Sequence, residues 1–295
     1  MISYMPHHNR SSPDKVISKM AIQSDLVIDI GLHKGEDTAF YLAKGFRVVS
    51  VEADPDLVRE CRARFARELS GQRLRIIEGA IAERGPKVSF YKDDNSVWGT
   101  VHQDWAKRNE KLGSHNRLIE VGVLDISRIF NDVGIPYYLK LDIEGSEHLV
   151  LMALLRLHEA PPFLSMESEK VSFKKLLWEL RALRKLGYRR FKVVQQQSIA
   201  GTTIQTVDLA GRKLAYTFEP AATGPFGDEA AGRWLSYYQA CLKYVWIFSL
   251  YKLFGDGGLM LKHRRGRQLH QALMRITGTT FPGWYDTHAA LAPSR

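Results

Sequence analysis

The sequence predicts an α/β fold: a doubly wound, mostly parallel sheet followed by a mainly helical C-terminal extension. Three observations carry this. Short, nearly continuous apolar runs recur between Asp25 and about residue 200, as expected of strands covered on both faces. Segments of helical spacing separate them, several bounded by Pro or Gly. Strand and helix alternate, which favours parallel βαβ units with right-handed crossovers and a ligand crevice at the carboxyl ends of the strands.

The elements follow in order. "MISYMPHHNRSSPDKVISK" lacks an apolar signal core and reads as a loose polar arm over residues 1–20. "DLVIDIG" (Asp25–Gly31) is the first strand. "EDTAFYLAK" (Glu36–Lys44) is a helix with two acids in its first turn, where the helix dipole favours them, and Gly45 as its C-cap. "FRVVSVEA" is the second strand, ending at Glu52, and Pro55 opens the helix "PDLVRECRARFAREL", which stops near Gly71. "LRIIEGAI" (Leu74–Ile81) and "PKVSFYKDD" (Pro86–Asp94) are strands, the second alternating as if half exposed. A short helix is expected over Asp104–Leu112, and a strand over Arg117–Ile126. "SRIFNDVGI" is a short helix, and "YYLKLDIEGSEHLVLMALLRL" is a strand then a helix, divided near Gly145. "PFLSMES" (Pro162–Ser168), "KKLLWELRALRKLGY" and "RRFKVVQQQ" complete the alternation as strand, amphipathic helix and strand.

The pattern changes near Gly201. "AATGPFGDEAAG" is a loop, and the aromatic "RWLSYYQACLKYVWIFSLYKLFG" follows. Its uninterrupted apolar part, "YVWIFSLY", is far short of the ~20 residues a membrane span needs. A helix packed on the core fits it, and so does an interfacial helix with aromatics in lipid and lysines out. The organisation expected is an arm over 1–20, a ligand-binding domain over 21–200 and an extension over 201–295, acceptor-shaping or membrane-proximal.

Composition sets bounds. The chain has 295 residues, 45% of them apolar and 25% charged, enough for a normal core. Cys61 and Cys241 offer neither a disulfide framework nor a zinc spacing, and read as reduced thiols of a cytoplasmic protein. The net charge of +10 favours polyanions such as nucleic acid, acidic lipid or phosphorylated substrates. Part of it lies in "KHRRGRQLHQALMR" (Lys262–Arg275), which a solvated basic helix face explains as well.

The turn after the first strand, Asp29-Ile-Gly31-Leu-His-Lys-Gly35, is not a G-x-G-x-x-G dinucleotide fingerprint. A pyrophosphate wants backbone N–H groups and no nearby anion, yet Asp29, Glu36 and Asp37 flank this turn. Three carboxylates suit a ligand with a cationic amino acid end, while Gly31 and Gly35 admit close backbone approach. Glu52, ending the second strand, is placed to accept both ribose hydroxyl protons. A nucleoside, a sulfonium and an amino acid together describe S-adenosylmethionine.

"VIDIGLHKGEDTAFYLAKGFRVVSVEADP" and "YLKLDIEGSEHLVL", about 110 residues apart, carry a resemblance. The sequence resembles class I S-adenosylmethionine-dependent methyltransferases and, within them, the FkbM family, over roughly Asp25 to Gln197. The second segment is similar to that family's lysine-x-aspartate-x-glutamate-glycine-x-glutamate motif. The resemblance implies a Rossmann-like methyltransferase sheet. It places Asp29, Gly31 and Gly35 along the amino acid end of the cofactor, with Asp37 and Thr38 close by. It puts Glu52 on the ribose, Ala53 near the adenine, and Glu78, Gly79 and Ala80 where the base is contacted. His33 departs from the commoner small residue and is given no catalytic role.

Methyl transfer is an in-line displacement in which alignment of the acceptor can supply ~7–11 kcal/mol of the barrier. Asp142 ends a core strand beside the expected methyl group, contacting the cofactor side as well, and Glu167 ends the next strand, with Glu169 two residues on. Three readings compete for these acids. Asp142 or Glu167 acts as general base; a divalent cation such as magnesium is shared by Asp142, Glu167 and Glu169; or the acids are structural. In the structural reading Glu144 and Glu147 cap the helix and Lys140 neutralises an acid, its pairing with Asp142 being the weak point. Asn95, Ser96 and Trp98 offer a lid or the acceptor-side wall, or a surface loop with a buried tryptophan; His102 and His115 are weaker bases, and "FPGWYDTH" (Phe281–His288) is either a sugar-binding patch or a plug on the core.

The expected function is O-methylation of a hydroxyl on a sugar, glycolipid or secondary metabolite, so the partner is a small-molecule or glycan acceptor. The charge suggests a nucleic-acid methyltransferase as the alternative, but no aromatic-basic RNA module and no Asn/Asp-Pro-Pro-aromatic tetrad is present. A non-catalytic nucleoside-binding module is the other rival. The expected location is cytoplasmic, with peripheral membrane contact through the extension, and neither metal ligands nor oligomeric state can be read.

Overall fold

The computed structural model describes residues 20–83, 85–93, 99–103, 106–107, 110, 113, 115–143, 145–169, 172–254, 263–277 and 283–292. Most of the Asp104–Leu112 helix, the lid residues Asn95, Ser96 and Trp98, Glu144, Phe281 and nearly all of the N-terminal arm lie outside them.

A seven-stranded sheet forms the body. Its strands are β1 (Ile22–Ile30), β2 (Arg47–Glu52), β3 (Leu74–Glu78), β7 (Ile135–Leu141), β8 (Phe163–Glu167), β9 (Tyr188–Gln195) and β12 (Tyr285–Leu291). They lie in the order β3-β2-β1-β7-β8-β12-β9. All pairings from β3 to β8 are parallel, and β12 runs antiparallel to both its neighbours. The winding reverses between β1 and β7, which puts the ligand crevice at the carboxyl ends of those two strands.

Local chemistry explains the flanking helices. Helix α1 (Glu36–Ala43) starts at Gly35, whose φ of 83° is left-handed. Asp54 caps α2 (Pro55–Arg64) by accepting from the Asp56 amide, with Pro55 at the first helical position. The helix expected to run on to Leu69 breaks at Phe65 and resumes as α3 (Ala66–Ser70). Asp125 caps α4 (Ile126–Val133), and Ser172 caps α6 (Phe173–Lys185). Helix α5 (Glu147–Leu157) follows β7.

Alternation along β1 separates two cores. Leu26, Ile28 and Ile30 join residues of α4, α5 and α6 on one face. Val27 joins Phe40, Tyr41, Tyr138, Phe218 and Phe226 on the other. This second face is covered by α1 and by residues 218–230, with the Phe226 ring stacked on Tyr138 at 3.9 Å. The loop read from "AATGPFGDEAAG" is thus part of a core layer.

Three features depart from the sequence reading. Strands β5 (Lys87–Asp93) and β6 (Asn116–Leu124) do not enter the main sheet; with β4 (Ala80–Ile81) they form a separate one in the order β4-β6-β5. A hairpin, β10 (Thr203–Val207) with β11 (Lys213–Thr217), precedes the loop. The segment around "WYDTH" packs on the core, but as a strand rather than a plug: β12 pairs Asp286 with Glu167 on one side and Val194 on the other.

The extension also holds α7 (Tyr237–Phe254) and α8 (Arg264–Thr277). No described helix is long and apolar enough to cross a membrane.

Candidate functional site: a cleft at the switch point

The cleft opens where β1, β2 and β7 end. Gly31, His33, Asp37, Glu52, Asp54, Gly79, Ala80, Lys92, Asp142 and Ala221 are among its walls. Backbone bonds stitch its floor: the Gly31 and Leu32 amides donate to Val51 O at 3.0 and 3.1 Å, and the Asp142 amide donates to Ile30 O at 2.8 Å. Gly31 has φ 94°, and a Cβ there would come within 1.9 Å of Asp142 O. Only glycine lets the two motif segments cross so closely.

Glu52 is the fixed point on the β2 side. It is buried, with 8% of its surface accessible. Its Oε2 accepts from the His33 amide at 2.8 Å and its Oε1 from the Asp54 amide at 2.8 Å. Burial pushes its pKa up, against the pull of these two amides. Each carboxylate oxygen keeps a further lone pair, so a vicinal diol fits this donor set. Beyond it, Ala53, Ala80, Phe90 and Val101 make a small apolar cluster at one end of the cleft, suited to a flat base.

Beneath the cleft sits a charged knot. Lys140 Nζ lies 3.1 Å from Asp37, 3.4 Å from Asp29 and 3.6 Å from Asp142, and donates to Gly31 O at 3.3 Å. Burial alone would lower the Lys140 pKa, but the three carboxylates outweigh it and hold the ammonium charged. The pairing with Asp142 discounted from sequence is therefore present, because positions two apart on a strand share a face. Asp29 is fully buried, and Thr38 donates to its Oδ2 at 2.7 Å. Its pKa is raised to about 6, by burial first and by Asp37 next, with Lys140 opposing. Asp37 in turn accepts from the Thr223 amide and hydroxyl, both at 2.9 Å.

The structure sorts the sequence-predicted residues. Gly31, Asp37, Glu52, Ala53, Gly79, Ala80 and Asp142 line the cleft. Asp29 and Thr38 lie beneath it and act through Lys140 and Ser50. Gly35 shapes the turn instead, since a Cβ would meet the Phe65 ring at 2.3 Å. Glu78 is not brought to the wall; its carboxylate lies 3.4 Å from Arg62, half exposed. Glu167 ends β8 outside the cleft wall, in register with Asp286. His33 holds its ring on Glu36 at 2.9 Å.

The other acids of the rim have assigned work. Glu147 accepts from the Ile143 and Gly145 amides at 3.2 and 3.0 Å, closing the turn after β7. Burial pushes its pKa up to about 7. Asp286 is buried, and its pKa is raised by burial and then by Asp142 and Glu167. Among the described residues no group of three His, Cys, Asp or Glu side chains has the arrangement of a metal site. Both described cysteines are free thiols.

Sequence reasoning missed Lys92 and Ser146. Lys92 bridges Asp54 and Asp56 at 2.9 and 2.5 Å on the cleft wall. Ser146 bonds His102 Nε2 at 3.0 Å, tying the 100-region to the second motif. Lys92 stands on the strand-like "VSFYKDD", where alternation gave a signal of exposure but none of its partners.

Fold and site together define a methyltransferase of the class I, S-adenosylmethionine-dependent kind. The profile of the methyltransferase FkbM domain matches residues 29–190, more than half of the chain, and the chain belongs to that family. Solved structures are similar at greater distance. Precorrin-6y C5,15-methyltransferase from Geobacter metallireducens is 14% identical, with 68% of this chain and 80% of that chain covered and a TM-score of 0.34. The C-terminal domain of the Rhodobacter capsulatus precorrin-6Y C5,15-methyltransferase gives 13% identity, 67% and 77% coverage and a TM-score of 0.35. The O-methyltransferase from Bacillus cereus in complex with SAH gives 13%, 65% and 71%, and 0.32. A comparison with curated proteins returns no match.

Proposed function

We propose that the protein transfers a methyl group to a hydroxyl of a sugar, glycolipid or secondary metabolite. The observation that carries this reading is Asp142: it stands on the cleft wall beside Gly31, its side chain 38% exposed, with Lys140 behind it. A carboxylate there can accept a hydroxyl proton as the oxygen attacks, an effect worth roughly 10²–10⁴ in rate. The Lys140 ammonium lies 3.6 Å from that carboxylate and offsets its charge. Glu52 would hold the ribose, the apolar end would take the base, and Asp37 with the Gly31 turn would face the amino acid end. The bound cofactor supplies the electrophilic methyl group. Residues 21–200 with β12 form the catalytic body in this reading, and the rest of 201–295 shapes the acceptor side, where Ala221 already reaches the cleft.

The test is incubation with methyl-labelled cofactor and fractionated lipid, glycan and RNA extracts, with and without EDTA, followed by mass spectrometry of the product. Label on an ether oxygen supports the reading. Label on a nucleobase overturns it, as does cofactor binding without transfer in any fraction. Loss of transfer in EDTA, restored by magnesium, adds the divalent cation to the mechanism.

A further inference from the structure

Helix α7 has two apolar faces and only one is covered. Ala240, Tyr244, Ile247 and Phe248 pack into the core. On the other side Tyr238, Leu242, Val245 and Trp246 are 65%, 69%, 47% and 64% exposed. With Leu253 they recur at i, i+4, i+7, i+8 and i+15, a single stripe along the helix. Lys252, exposed, borders the stripe.

The sequence around it is cationic. Between Ala230 and Tyr285 the sequence has eight Lys or Arg against one acid, Asp256. This stretch therefore holds seven of the chain's ten net positive charges. Helix α8 exposes Arg264, Arg265 and Arg275, and Ile276 at its end is 81% exposed. The Phe254 ring at the end of α7 stacks on His270 of α8, 5.6 Å between centroids, so the two helices meet there.

One partner suits both properties. We propose that this face docks on an anionic membrane surface, as on the cytoplasmic leaflet of a bilayer. Trp and Tyr place an apolar body and a polar tip at the depth of the headgroups. The cations are drawn to the negative potential of an anionic surface. Two copies of the chain meeting through this face would oppose like charges. Nucleic acid would leave the apolar stripe in water.

The position fits delivery of a lipid-borne acceptor. Helix α7 climbs beside β9: Lys243 donates to Val193 O at 2.9 Å, and Tyr251 to Gly283 O at 2.5 Å. Gly283 stands just before Tyr285, which pairs with Gln195 at the carboxyl end of β9. The end of α7 thus lies at the same end of the sheet as the cleft, by the β9 edge three strands from β7. The docking itself does not depend on the methyl-transfer reading.

The experiment is flotation of the full chain with vesicles of phosphatidylcholine, alone or mixed with phosphatidylglycerol. Binding is expected to the mixed vesicles only, weakening as salt is raised. The Leu242→Glu/Trp246→Glu double variant should lose it, and Arg264→Glu/Arg265→Glu should weaken it about tenfold or more. Both variants should keep the wild-type affinity for S-adenosylhomocysteine, which shows that the fold survives. Failure to float with anionic vesicles overturns the proposal. So does binding that both variants retain, or wild-type self-association that the first variant abolishes without any vesicle binding.

Discussion

Lys140 and Asp142, two residues apart at the end of β7, meet across 3.6 Å, and the same ammonium reaches Asp29 and Asp37. One cation thus balances acids from β1, α1 and the second motif. Replacing Lys140 by Met should leave buried carboxylates uncompensated, a loss of about 3–5 kcal/mol. Urea unfolding at pH 7 measures it. The deficit should shrink toward pH 5, because acids without their cation take up protons more readily; a deficit constant with pH would contradict the knot.

Glu52 tests the cofactor assignment. Its oxygens already hold the His33 and Asp54 amides, so Glu52→Gln keeps the size but loses charge and one acceptor. Charge-assisted bonds of about 1.5–3 kcal/mol each are at stake. Calorimetry with S-adenosylhomocysteine should show affinity reduced roughly tenfold or more; an unchanged dissociation constant removes Glu52 from the ribose.

Asp142→Asn separates chemistry from binding. The variant should bind S-adenosylhomocysteine nearly as the parent does while turnover falls by about 10²-fold or more. Turnover equal to the parent's would assign the proton to another group.

His288 gives a pH signature. It is buried on β12, and among the described residues neither ring nitrogen has a hydrogen-bond partner. Burial, and then the charge of Lys192, lower its pKa to about 3 from the usual 6.5. The unfolded chain therefore takes up this proton first as pH falls. Stability contributed by a neutral His288 is complete above pH 6.5 and is lost toward about pH 3, with a slope of up to about 1.4 kcal/mol per pH unit. His288→Leu should flatten that part of the stability curve, measured by urea melts between pH 7 and 4; identical slopes would contradict it.

Much of the site was legible because its residues are tied to local signals. Glu52 and Asp142 stand where apolar runs stop, and Gly31 precedes a helical pattern, so strand ends and the turn between them could be placed. What could not be read was the company each residue keeps. Asp37 is held by Thr223, far along the chain, and Asp29 lies under the cleft, where only the parallel pairing of β1 with β7 sets it opposite Lys140. Glu78 shows the limit: its position in the chain suited the base, yet its side chain turns to Arg62. Strand β12 escaped because seven residues flanked on both sides by strands near them only in space carry no periodic signature of their neighbours.

That late strand governs the order of assembly. Strand β8 and strand β9 are close in sequence, yet neither edge is satisfied until residues 285–291 slide between them. A nascent chain emerging from the ribosome can complete the parallel half, β3 through β8, while β9 waits. Until then β8 offers an open row of amides and carbonyls, an invitation to pair with a neighbouring polypeptide. Folding of this enzyme is therefore a race between its own residues 285–291 and a stranger's strand, and chaperone demand should concentrate in the interval before residue 291 arrives.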